Sequence, residues 1–148
     1  VSGVADPTGL VVAAVVLLAA TAFGLVRRSR DGRLRALRAD GPLRLTARDL
    51  GQSLGDRATL VQFSTSFCAT CPGTRRLLTE VADGTPGVRH VEIDAEERLD
   101  LVRRAEVMRT PTVLVLDRDG RVLRRASGPP TRAEVASALE LATVPTAA

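Results

Sequence analysis

Two cysteines stand three residues apart in Phe67-Cys68-Ala69-Thr70-Cys71-Pro72, and the 148-residue chain has no others. A thiolate is the nucleophile of disulfide chemistry, and a second thiol one helical turn away can displace what the first has captured. The pair is too close in sequence to staple distant elements. A secreted disulfide scaffold carries more cysteines at longer spacings. The pair therefore reads as a site. The same spacing is also half a zinc site, but zinc needs two further ligands and the only histidine is His90. Carboxylates or a second chain would have to complete it, so neither a metal nor a cofactor is expected.

The elements that must position the pair follow from hydrophobic patterning. Residues 58–63 (ATLVQF) predict a buried strand directly before the motif. A helix is expected to open at Cys68 and run to about Ala82, turning Leu77, Leu78 and Val81 to the core. A helix start there places unpaired N–H groups and the positive end of the dipole beside Cys68, which lowers its thiol pKa.

The rest of the chain alternates strand and helix. Residues 43–45 suggest a short edge strand, and Thr46 with Asp49 marks a helix start carrying Leu50 and Leu54. Residues 88–93 read as a strand, 96–107 as a helix, and 112–116 and 121–126 as a hairpin across Asp117-Arg118-Asp119-Gly120. Thr131 and Glu134 form a capping box for a last helix with Val135, Leu139 and Ala142.

Upstream, residues 10–26 (LVVAAVVLLAATAFGLV) hold no charge and reach roughly 26 Å as a helix, near the lower limit for spanning a membrane. Ala20-Thr21-Ala22 fits a signal-peptide cleavage site, but residues 1–9 carry no basic residue, which favours an uncleaved anchor. Every basic side chain is Arg, and six of the 21 lie in residues 27–38. From Asp40 onward fifteen Arg balance fifteen Asp and Glu, so the +4 net charge resides in that one segment. Such concentration argues against a nucleic-acid surface. It fits membrane lipid contact through residues 10–38, with the folded part on the cytoplasmic face. Asp40-Gly41-Pro42 marks a boundary. The expected organisation is a short segment 1–9, a transmembrane helix 10–26, a basic juxtamembrane linker 27–42, a domain 43–142 and a tail 143–148.

The stretches VQFSTSFCATCPGTRRLL, VRHVEID and RTPTVLVLDRDGRVLRRASG together resemble the thioredoxin family over residues 43–142. The resemblance implies an α/β thioredoxin-like fold, a central mixed sheet flanked by helices. It implies Cys68 and Cys71 as catalytic residues, and substrate contacts from Phe67, Thr110 and Pro111, with a cis Thr110–Pro111 bond. It further implies protein disulfide or dithiol substrates and a thioredoxin-type electron donor. Three positions depart from the family pattern. Phe67 stands for a Trp, Ala69-Thr70 for Gly-Pro, and Gln62 for a buried acid that assists the resolving cysteine. His90 falls where a Lys is common; it is a candidate proton acceptor, though a bystander role is favoured. The expected function is a membrane-tethered protein-disulfide reductase. The alternatives are a redox-inactive binding module and an outward-facing tethered thioredoxin acting on exported or cytochrome-maturation thiols.

Overall fold

The computed structural model describes residues 7–30, 33–36 and 43–142, and divides the chain into two units, Val1–Asp31 and Gly32–Ala148. Residues 1–6 of the expected segment 1–9, residues 31–32 and 37–42 of the expected linker and the 143–148 tail lie outside the described residues.

The first unit is helix α1, Pro7–Arg30. Within it Thr8–Arg27 is long and apolar enough to cross a membrane, with mean hydropathy 2.6 and no part buried. The helix runs past Val26 into the Arg cluster, because arginine is a good helix former and favours the negative end of the dipole.

The second unit is a five-stranded sheet of order β1-β5-β4-β2-β3 flanked by helices. Its elements are β1 (Arg35–Ala36), α2 (Ala47–Leu50), β2 (Ala58–Ser64), α3 (Cys71–Asp83), β3 (Val88–Asp94), α4 (Leu99–Arg104), β4 (Thr112–Asp117), β5 (Val122–Ser127) and α5 (Arg132–Ala142). β2 runs parallel to β3 and antiparallel to β4, so the sheet is mixed. All seven residues of β2 are buried because it lies inside the sheet with both faces covered.

Alternation along the strands sorts side chains into two cores. Val61, Phe63, Val91, Ile93, Leu114 and Leu116 meet Leu50 and Leu101 on one face. Leu60, Val113 and Val115 meet Leu78, Val81, Val135 and Leu139 on the other. Burial of each large side chain is worth about 1.5–3 kcal/mol.

Four expectations change. Residues 43–45 form only an isolated bridge, Arg44 to Arg121, while the strand lies upstream, where Arg35 and Ala36 pair with Arg125 and Arg124. Part of the expected linker is therefore strand. The helix expected over 96–107 spans only Leu99–Arg104, because Ala95 and Glu96 are held in a turn by bonds to Ser64 and Asp94. At its other end, Glu106 takes a left-handed φ of 48°. The helix expected to open at Cys68 begins at Cys71, with Thr70 as its cap residue. Pro72 explains the shift: proline is tolerated in the first turn, where its missing N–H costs nothing. Both expected capping boxes, Thr46 with Asp49 and Thr131 with Glu134, are present.

Candidate active site

Register brings together two segments more than forty residues apart in sequence. Because β2 and β4 are antiparallel neighbours, Phe63 at the end of β2 lies opposite Thr112 at the start of β4. The loop leaving β2 toward Cys68 and the loop ending in Pro111 therefore emerge from the same end of the sheet. The Thr65 and Thr110 hydroxyls join them at 3.3 Å, and Thr65 C=O accepts the Cys68 N–H. The Thr110–Pro111 peptide bond is cis, and the Pro111 carbonyl accepts from Gly128 N–H at 2.7 Å.

Cys68 and Cys71 form a disulfide across 5.4 Å between Cα atoms. Their environments differ. Cys68 is half-buried in the loop, whereas Cys71, the first residue of α3, is 2 % exposed. The cysteine reachable from outside is thus the one ahead of the helix. Its Sγ lies 3.9 Å from the Thr70 hydroxyl, and Thr70 makes no side-chain cap bond to the helix. That hydroxyl is placed to donate to a Cys68 thiolate, a role the sequence reading missed.

The loop before Cys68 is pinned on its far side. Ser66 donates to Glu96 through its hydroxyl at 2.8 Å and its N–H at 3.3 Å. Phe67 is then thrust outward, 91 % exposed, and Met108 beyond α4 is exposed to the same degree. Among the described residues nothing covers the Phe67 ring. Met108 carries no sequence signal, since a lone Met reads as core filler.

Gln62 lies beneath the pair. It is completely buried on β2, and its Nε2 donates to the Cys71 carbonyl at 3.1 Å. A carbonyl only accepts, which assigns the NH2 side of the amide and leaves Oε1 as the other arm. Among the described residues Oε1 has no hydrogen-bond partner.

His90 is not brought to the cysteines. Its Nδ1 meets the Thr79 hydroxyl at 3.1 Å, two turns along α3 from Cys71. Burial pushes its imidazole pKa down, against the pull of the Glu92 charge. Glu92, the register neighbour of Gln62, is gripped instead by Arg75 at 2.6 Å and by the Ser64 hydroxyl at 2.6 Å. Burial opposes its charge, but these bonds prevail and its carboxyl stays below the usual range.

Among the described residues, no group of three or more Cys, His, Asp or Glu is placed to hold a metal. The arrangement can make and break one disulfide, with one sulfur accessible and one enclosed.

Comparison with known proteins agrees with this geometry. The thioredoxin family model matches residues 44–141. A mitochondrial thioredoxin-3 of Saccharomyces cerevisiae is 32 % identical over 69 residues, which are 47 % of this chain and 54 % of that protein. The chain thus matches about half the length of that relative. The crystal structure of the yeast thioredoxin 3 in its oxidised form superposes with a TM-score of 0.51 at 22 % identity, over 57 % of this chain and 78 % of that one. A mutant thioredoxin from Halobacterium salinarum gives 0.56 at 20 % identity, over 62 % of this chain and 80 % of that one. With the family model covering residues 44–141, the chain belongs to the thioredoxin family.

Proposed function

We propose that this chain is a membrane-tethered thiol–disulfide oxidoreductase that reduces disulfides in protein substrates. The observation carrying the reading is the asymmetry of the pair, with Cys68 reachable in its loop and Cys71 enclosed in the first turn of α3. In the reduced protein the Cys68 thiolate attacks a substrate disulfide. A Cys68–substrate bond forms, the substrate bond breaks, and one substrate sulfur leaves as a thiolate. Cys71 then loses its proton and attacks Cys68 Sγ, releasing the second substrate sulfur and closing the Cys68–Cys71 bond. A thioredoxin-type electron donor returns two electrons and two protons to restore the dithiol.

Thr110 supplies backbone contacts to the substrate chain beside Pro111, and Phe67 supplies an apolar one. In this reading helix α1 anchors the domain, and the Arg-rich flank supports a cytoplasmic face, where reducing conditions favour the reductase direction.

The test is to express a Cys71→Ser form in cells and isolate proteins disulfide-linked to it. The expected result is a set of cytoplasmic proteins held on Cys68, released by dithiothreitol and lost when Cys68 is also replaced. Exported partners would reverse the topology. No captured protein, with a normally folded domain, would overturn the exchange reading in favour of a binding module.

A further inference from the structure

Gln62 Oε1 is an acceptor sealed from water with nothing to accept from among the described residues. The amide cannot turn to relieve this, since its Nε2 is committed to the Cys71 carbonyl. The buried hydroxyls of Thr74 and Ser64 are committed elsewhere. Thr74, buried one turn along α3, donates to the Thr70 carbonyl at 3.2 Å, and Ser64 donates to Glu92. The remaining buried polar side chain on this turn is Cys71, which in the disulfide has no hydrogen to give.

Reduction changes that. Two electrons and two protons from a dithiol convert the Cys68–Cys71 bond to two sulfhydryls, and the one on Cys71 is a new donor on the residue whose carbonyl already holds the Gln62 amide. We propose that Gln62 is a positioning residue that holds Cys71 as a neutral thiol in the reduced protein, its Oε1 accepting the Cys71 S–H. The inference rests on the thiol–disulfide reading and adds its regulation. Gln62 favours the dithiol over the disulfide, because only the dithiol satisfies the amide. It also retards resolution, because the Cys71 proton must leave a hydrogen bond before the sulfur can attack.

The full chain in detergent micelles, reduced with dithiothreitol, gives the test by infrared spectroscopy. The Cys71 S–H stretch, assigned by its loss in Cys71→Ala, is expected at the lowered frequency of a bonded thiol. In Gln62→Met, which keeps the length of the side chain and replaces the amide oxygen by a weakly accepting thioether, the band should move up. The reduced-to-oxidised ratio in a fixed dithiothreitol buffer should then fall roughly two- to tenfold. A wild-type band already at the frequency of a free thiol in apolar solvent would overturn the assignment without any variant. A band unmoved in Gln62→Met would do the same. A disulfide that does not open to dithiothreitol at all sinks the exchange reading itself, whereas opening without the bonded band sinks only the role of Gln62.

Discussion

Replacing Gln62 by Asp should separate the two steps of exchange. Aspartate is one methylene shorter and cannot span to the Cys71 carbonyl as Gln62 does at 3.1 Å. Its carboxyl would occupy a site with no exposure, where burial raises a carboxyl pKa by about 2–4 units. At about 1.4 kcal/mol per unit, the fold should lose roughly 3–5 kcal/mol. The sign follows from the raised folded-state value. Stability is intact below the unfolded carboxyl pKa and is lost as pH rises through the folded one. In return the carboxylate takes the Cys71 proton outright, and general-base assistance is worth about 10²–10⁴ in rate.

The assay is two-phase release of thionitrobenzoate from the reduced full chain. The first equivalent reports attack by Cys68 and the second reports resolution by Cys71. The second phase should quicken by about 10² near neutrality and acquire a pH dependence centred on the new carboxyl, while the first phase changes little. A second phase of unchanged rate, with the first intact, would refute the reasoning, since proton removal would not then be the obstacle.

Three other outcomes follow from the same structure. Phe67→Ala should leave stability within about 0.5 kcal/mol, because the ring is 91 % exposed, yet raise KM for a protein disulfide several-fold without slowing reaction with a small one. Gly55→Ala should cost more than about 3 kcal/mol in urea unfolding, since a Cβ there would lie 2.7 Å from the Gly87 carbonyl and 2.9 Å from the Arg89 nitrogen, both backbone. Acid should weaken the fold in two stages, because His90 is lowered by burial and Asp49 is held well below the carboxylate range by the Arg104 guanidinium. Both contributions are present above the unfolded values and fade as pH falls, first below the ordinary histidine value of 6.5 and then in the carboxylate range. Urea midpoints across pH should show the later stage flattened in Asp49→Asn.

How far the sequence can be read depends on how each element is held. β2 and β4 are continuous apolar runs because both their faces are covered, and the pattern predicts each to within a residue of its observed end. β1 escapes notice because two paired residues leave no period to detect. The reading of α4 over 96–107 is overlong at its start because the Glu96 N–H is bonded to the Asp94 carboxylate in a turn that periodicity cannot register. At the site, Cys68 and Cys71 are legible from residue type and spacing, and Pro111 through the family resemblance. The clasp of Ser66 on Glu96 and the approach of Thr70 to Cys68 are not, since serine, threonine and glutamate occur everywhere and only the folded backbone selects which of them meet.

The position of the helix start has a consequence for kinetics. Had α3 opened at Cys68, both sulfurs would share its first turn and the dipole would favour ionisation of either. With the first turn at Cys71 and Pro72 contributing no N–H, the reachable Cys68 lies in the loop ahead of the helix, and the enclosed Cys71 holds the Gln62 amide through its carbonyl. Under the proposed exchange, every substrate is captured on Cys68, and every captured substrate waits for the same buried proton on Cys71 to leave. The leaving thiol still influences the second step, since a more acidic one departs faster. The proton requirement, however, would on this proposal be imposed by this chain and be common to all substrates. Mixed disulfides with chemically different proteins should then resolve with parallel dependences on pH, offset from one another only by their leaving groups. Pairs of substrates whose resolution profiles cross would show that the substrate, rather than the enclosure of Cys71, governs release.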